Sequence, residues 1–204
     1  MNDVPESPDN AALQRRRNRL MLIGLFAIFF GTLAVAGLLR FSGWQPHGRV
    51  NRGEMLAPPV DVHQLTPTLL DGRAYPWNPV ARTWRIVVAP PADCGPECTK
   101  VAHDVHTVWE VLGREATRVD VLWLCPQPAC ALPAGAPAIN NLRLLQPDAA
   151  LRARLPRVEQ TTHAKGRGVP VYVIDPNGFV ILRYAAGSDP GDLRYDLSKL
   201  LKLK

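Results

Sequence analysis

Cys94-Gly95-Pro96-Glu97-Cys98 stands where an apolar run, Trp84-Arg85-Ile86-Val87-Val88-Ala89, gives way to a helical pattern. A dithiol at a strand-to-helix turn serves thiol–disulfide chemistry or holds a soft metal. The strand fixes the first sulfur, and the partial positive charge of the helix N-terminus favours thiolate. Two sulfurs about one helical turn apart can close a disulfide, or present two soft donors to Cu(I). Glu97 adds negative charge beside them, which opposes thiolate formation. An inert stapling disulfide is the plain alternative.

A second close pair lies in Cys125-Pro126-Gln127-Pro128-Ala129-Cys130, directly after the apolar run Val119–Leu124. If the runs ending near Ala89 and Leu124 are neighbouring parallel strands, their C-terminal ends emerge on one sheet edge, and Cys125 lies near Cys94. The pair is then either a local disulfide tying down a Pro-rich loop or a relay that resolves or re-reduces the first pair. Among the histidines, His103 and His106 fall on the polar side of the expected helix. His47 and His63 carry no signal. Asp175 and Asp189 read as turn and cap residues. No Gly-rich phosphate loop, zinc-type pairing of Cys-x-x-Cys motifs or nucleophile elbow is present.

These residues need elements to position them. A strand at about 84–90 leads to a helix at about 97–113, with Cys98, Val101, Val105, Val108, Trp109 and Leu112 on one face. Strand 119–124 follows, then a Pro- and Ala-rich loop over 126–138, a short strand at 141–146 and a short helix at 147–155. Val169–Ile174 and Phe179–Tyr184 form a hairpin about the turn Asp175-Pro176-Asn177-Gly178. Asp189-Pro190 reads as an N-cap and first helical residue of a last helix running to Lys204. The order is β-α-β-α-β-β-α.

The chain has 204 residues, 47% hydrophobic, with a formal net charge of +6, which suits one ordinary domain plus extra segments. One extra segment is Leu20–Leu39, which carries no charge and has about the length a bilayer core requires. Arg15, Arg16, Arg17 and Arg19 precede it and place residues 1–19 in the cytoplasm by the positive-inside rule. An uncleaved anchor over 20–40 is preferred to a signal peptide cut after Ala34-Val35-Ala36, because the apolar run continues past that site. Residues 41–204 then lie outside the cytoplasm, in the periplasm if the cell is Gram-negative, where four cysteines face an oxidising compartment. Residues 1–14 read as disordered. Residues 41–80, with six prolines, read as an extended linker packing loosely on the edge of a globular unit at 81–204. The positive charge suits anionic lipid or an acidic partner rather than nucleic acid.

Residues 81–204 resemble the thioredoxin superfamily. The resemblance rests on the dicysteine turn after the first core strand, on Val169-Pro170 before the third, and on the Asp175–Gly178 hairpin. It implies a thioredoxin-like α/β fold and a cis Pro170 lying against the dithiol, where it helps dock substrate. Three residues between the cysteines, one N-terminal anchor and a Pro-rich approach look like the Sco-type proteins of cytochrome oxidase assembly. That likeness implies that Cys94 and Cys98 are the functional pair, for copper delivery, thiol–disulfide exchange or both. Cytochrome oxidase subunits, or copper and thiol partners in the periplasm of a bacterial inner membrane, are the partners it implies. Sco proteins use a histidine as third copper ligand, and His163 lies in the corresponding region. The gap from His163 to Val169-Pro170 is longer than in that pattern, and Lys165 and Arg167 would repel a cation. A general thiol–disulfide oxidoreductase without metal and a non-enzymatic assembly scaffold are the alternatives.

Overall fold

The computed structural model describes residues 8–42, 51–164 and 166–202. Contacts divide the chain into two units, Met1–Gly48 and Arg49–Lys204. In the first, helix α1 spans Pro8–Phe41. Its segment Leu13–Phe41 is long and apolar enough to cross a membrane, and its leucine, isoleucine and phenylalanine side chains are exposed. The helix continues through Ala34-Val35-Ala36. It also begins earlier than expected: residues 8–14 are helical, because Ala11-Ala12-Leu13-Gln14 are good helix formers running into the apolar stretch. Residues 1–7 lie outside the described residues.

The second unit is built on a six-stranded sheet in the order β1-β8-β7-β2-β3-β4. The strands are β1 (Glu54–Asp61), β2 (Trp84–Val88), β3 (Val119–Leu124), β4 (Leu142–Leu145), β7 (Val171–Ile174) and β8 (Phe179–Tyr184). A separate small hairpin pairs β5 (Thr162–His163) with β6 (Gly166–Arg167). Helices α2 (Pro96–Val111), α3 (Ala149–Arg154) and α4 (Pro190–Leu200) complete the unit. Strands β2, β3 and β4 are parallel, whereas β7 runs antiparallel to β2 and β8 antiparallel to β7. From β2 onward the elements follow the expected β-α-β-α-β-β-α order, with the short strand β4 between β3 and α3 and β1 added ahead of β2, in a thioredoxin-like mixed sheet.

Strand alternation gives the sheet two buried faces. Trp84, Ile86 and Val88 of β2 join Val101, Val105, Leu193 and Leu197 on the α2 and α4 side. Val87 and Ala89 join Leu151, Tyr172, Tyr75 and Trp77 on the other side. Asp148 caps α3 by accepting from the Leu151 amide, and Asp189 caps α4 by accepting from the Gly191 amide. At the β7–β8 turn, Asp175 accepts from the amides of Asn177 and Phe179. Gly178 has φ of +90°, and a Cβ there would sit 2.8 Å from the His63 Cα. Glycine is therefore required twice over.

Residues 51–80 are not a loose linker. β1 pairs with β8 along the sheet edge, where Pro58 and Pro59, which lack a donor, are tolerated in a register irregularity. The Ala57–Pro58 peptide is cis. Val62, Tyr75 and Trp77 are then buried in the second cluster, and Leu69 bridges to Leu145 of β4. The chain thus wraps from one edge of the sheet to the other. The reason is that these few large apolar residues are worth burying, at roughly 25 cal/mol per Å². The fold boundary lies near residue 51, not 81.

Candidate functional site

The parallel register Val88↔Trp123 brings the ends of β2 and β3 to one sheet edge. The antiparallel register Val88↔Val171 brings the start of β7, and with it Pro170, to the same edge. Six residues past β2, Cys94 forms a disulfide with Cys98 in the first turn of α2, with a Cα–Cα distance of 5.7 Å. Gly95 stands at the N-cap of α2 without a side-chain cap, and Pro96 opens the helix. Cys98 is buried under the helix, whereas Cys94 is half-buried. Cys94 is therefore the more accessible sulfur.

Cys125 closes a second disulfide with Cys130. Its amide donates to the Leu145 carbonyl at 3.1 Å, which holds the chain at the edge of the sheet as it leaves β3. Cys125 is 1% exposed, and Cys130 is half-buried. Cys94, Cys98, Cys130 and Trp123 line one cleft of about 270 Å³, walled by prolines of both loops. The sequence expectation that the two pairs lie on one edge agrees with this geometry.

Pro170 is buried, but the Val169–Pro170 peptide is trans. This corrects the cis geometry that the family resemblance implied. Trans is the intrinsically favoured isomer by about 0.5–1 kcal/mol. The chain enters β7 extended from Gly168, whose amide donates to the Thr161 carbonyl at 2.7 Å.

His163 stands on β5. Its Nε2 lies 3.3 Å from the Arg167 carbonyl oxygen. Its ring packs so closely on Gly187 that a Cβ there would come within 2.6 Å of it. It lines a different cavity, of about 540 Å³, together with Glu97, Asp104 and Arg167. Among the described residues no group of three or more His, Cys, Asp or Glu side chains is placed to hold a metal ion. His103 is exposed. His106 is half-buried, and its Nδ1 lies 3.9 Å from Glu110.

Arg167, which the sequence suggested only as a repulsive charge, is placed against carboxylates. One guanidinium nitrogen donates to both oxygens of Asp93 at 3.0 Å, and Nε lies 3.5 Å from Glu97 Oε1. This hydrogen-bonded pairing holds the Asp93 carboxyl below its ordinary range and pushes the Arg167 guanidinium up. Glu97 Oε1 is buried and accepts no hydrogen bond among the described residues. The arginine thus ties β6 to both residues that immediately precede a cysteine of the first pair. Opposite charges at 93, 97 and 167 were visible in the sequence, but nothing there brought positions some seventy residues apart together.

A second polar cluster also escaped sequence reading. Asp196 of α4 is 1% exposed and accepts from the amides of Arg52 and Gly53 and from the Tyr184 hydroxyl. Burial, and then the hydrogen bond to Asp196, push the Tyr184 phenol well above its ordinary value.

The fold is shared with Sco proteins of known structure. Yeast Sco1 with copper bound superposes with a TM-score of 0.52 at 13% identity, over 77% of this chain and 96% of that one. BsSco, a member of the Sco family of cytochrome c oxidase assembly proteins in which a disulfide switch was identified, superposes at 0.51 with 15% identity, over 76% and 99%. A SCO1/SenC family lipoprotein from Bacillus anthracis str. Ames superposes at 0.51 with 16% identity, over 72% and 99%. At these identities the likeness is one of fold. No curated protein matches the sequence. Residues 84–204, more than half of the chain, match a family model that begins at β2 and takes in both disulfides and the closing helix, and the chain belongs to that family, the transmembrane-like, thioredoxin-like C-terminal domain.

Proposed function

We propose that this chain is a membrane-anchored thiol–disulfide and copper-handling protein of the Sco type that assists cytochrome c oxidase assembly. In this reading α1 anchors it in a bacterial inner membrane, with the arginines before Leu20 on the cytoplasmic side and the thioredoxin-like unit in the periplasm. One observation carries the reading: a Cys-x-x-x-Cys pair at the N-terminus of α2, Cys98 buried and Cys94 half-buried, both lining one cleft. Copper is cargo. Once the disulfide is reduced, Cys94 and Cys98 offer two soft donors suited to Cu(I). Both cysteines are in the family-matched region, and one similar fold, yeast Sco1, carries copper.

In the thiol–disulfide mode the Cys94 thiolate attacks one sulfur of a partner disulfide. The partner's other sulfur leaves as thiolate, and a mixed disulfide forms. Cys98 then attacks Cys94, closes the Cys94–Cys98 bond and releases the partner as a dithiol. Two electrons pass to the partner. Cys98 is the more buried of the pair, which leaves Cys94 to meet the partner first, and Pro170 borders the same sheet edge as a docking element for the partner chain.

Arg167 favours a second reading, thiol–disulfide exchange without metal. A guanidinium fixed between Asp93 and Glu97 offsets part of their negative charge, which supports thiolate and weakens the pull on a cation at the same turn. Copper titration of the fully reduced chain, against Cys94→Ser/Cys98→Ser, decides between them. Near-stoichiometric copper that disappears in the variant is the expected result, with His163→Ala reporting whether a third ligand is recruited. No copper, together with a reversible Cys94–Cys98 disulfide, assigns the metal-free reading.

A further inference from the structure

The second disulfide is placed for more than tying down a loop. Each pair has one sulfur sunk in the same apolar cluster, Cys98 and Cys125, and one half-buried at its margin, Cys94 and Cys130. Cys94, Cys98 and Cys130 line the same cleft, whereas Cys125 is not part of the lining. A disulfide that only closed the 126–129 loop would not need Cys130 beside the redox turn. The loop could close equally well pointing away from the end of β2.

We propose that Cys125–Cys130 is a second redox centre that exchanges an electron pair with Cys94–Cys98 through a Cys94–Cys130 bond across this cleft. The proposal rests on the thiol–disulfide reading above, in either its copper or its metal-free form. When a partner protein's dithiol has reduced the first pair, the Cys94 thiolate attacks Cys130 Sγ. The Cys94–Cys130 bond forms, the Cys125–Cys130 bond breaks, and Cys125 leaves as thiolate. Cys98 then attacks Cys94 Sγ, restoring the first disulfide and releasing Cys130 as thiolate. The first pair loses two electrons, the second gains them, and two protons end on Cys125 and Cys130. Every step is a thiolate attacking a disulfide sulfur and runs equally in reverse. Exchange is routed through the two half-buried sulfurs, and the two buried ones serve as internal leaving and resolving groups. The site would thus store an electron pair between encounters with thiol partners.

The test is made on the full chain in detergent. In Cys98→Ser the resolving sulfur of the first pair is gone, so Cys94 attacks Cys130 and stalls. The expected product is a Cys94–Cys130 disulfide, found by peptide mass spectrometry, with Cys125 newly alkylated after a denaturing acid quench. Both signals are lost in Cys94→Ser/Cys98→Ser. In Cys98→Ser/Cys125→Ser, treatment with oxidised glutathione should convert most of the chain to the Cys94–Cys130 disulfide, whereas Cys98→Ser/Cys130→Ser should leave Cys94 and Cys125 unlinked. The inference is overturned if Cys98→Ser keeps the Cys125–Cys130 bond in every molecule with Cys94 fully alkylated. It is equally overturned if glutathione leaves Cys94 and Cys130 as two separate mixed disulfides. Circular dichroism of each variant confirms folding, and the Cys98→Ser measurement leaves the buried Cys125 in place. Reversible formation of the Cys94–Cys98 disulfide in the parent chain reports on the first pair; its absence strikes the proposed function, while an absent Cys94–Cys130 bond strikes the relay.

Discussion

Arg167 donates from one guanidinium nitrogen to both carboxylate oxygens of Asp93, one residue before Cys94. Because its Nε also stands 3.5 Å from Glu97, one residue before Cys98, the cation spans the redox turn. Glu97 alone would oppose thiolate at these sulfurs, and Arg167 offsets it.

Arg167→Ala should therefore leave two carboxylates unneutralised beside the reduced pair. Alkylation of Cys94 by iodoacetamide at pH 7 is expected to slow by roughly 3–10-fold, and to recover in part in Arg167→Lys. An unchanged rate would mean that solvent screens the arginine from the sulfurs.

The same tether has a pH signature. Asp93 is held below its unfolded value by the Arg167 hydrogen bonds. Its contribution is thus complete above the ordinary carboxylate range and is lost as pH falls through the depressed value. Reduction of Cys94–Cys98 by a phosphine, followed from pH 7 downward, should keep the full effect of this pair until below about pH 4, where the ion pair is lost, the turn loosens and reduction accelerates. Asp93→Asn should give the loosened rate throughout, with no such acid step.

The redox turn and the strand order were legible in the sequence because both are local. A β-branched run ending at a dicysteine turn, a helix with Val101, Val105 and Val108 on one face, and Asp-Pro-Asn-Gly between two strands each carry their own period or turn chemistry. The nearness of the two cysteine pairs followed from topology alone, since neighbouring parallel strands end on one edge. Residues 51–80 were misread because prolines signal linker by composition. An edge strand tolerates prolines too, and Val62, Tyr75 and Trp77 are too sparse to reveal a period. Arg167, Asp196 and the trans Val169–Pro170 peptide depend on contacts between distant segments, which no local pattern encodes.

Asp196 is the clearest of these. Three donors converge on it in a site 1% exposed, two of them backbone amides of the segment leading to β1. Hydrogen bonds to a buried charged group contribute about 1.5–3 kcal/mol, and donors left unsatisfied cost more. Asp196→Ala should lower stability by roughly 3 kcal/mol. That corresponds to a fall in Tm of about 6–12 °C for a unit of this size, measured by circular dichroism. A change of less than about 1 kcal/mol would mean that water replaces the carboxylate without penalty.

Gly187→Ala separates two roles for His163. Gly187 has φ of +77°, and a Cβ there would lie 2.6 Å from the His163 ring, so the substitution must move β5 and, through it, Arg167 on β6. If His163 acts only by shaping this hairpin, the variant should behave like Arg167→Ala: Cys94 alkylates several-fold more slowly, and copper stoichiometry on the reduced pair is unchanged. If the histidine swings in as a copper ligand, copper affinity falls in Gly187→Ala and in His163→Ala alike, while in His163→Ala, with the hairpin intact, alkylation of the metal-free thiols keeps its parent rate. The first pattern is expected. His163 is seated on Gly187 and beside the Arg167 carbonyl, and it lines a cavity whose walls include neither Cys94 nor Cys98.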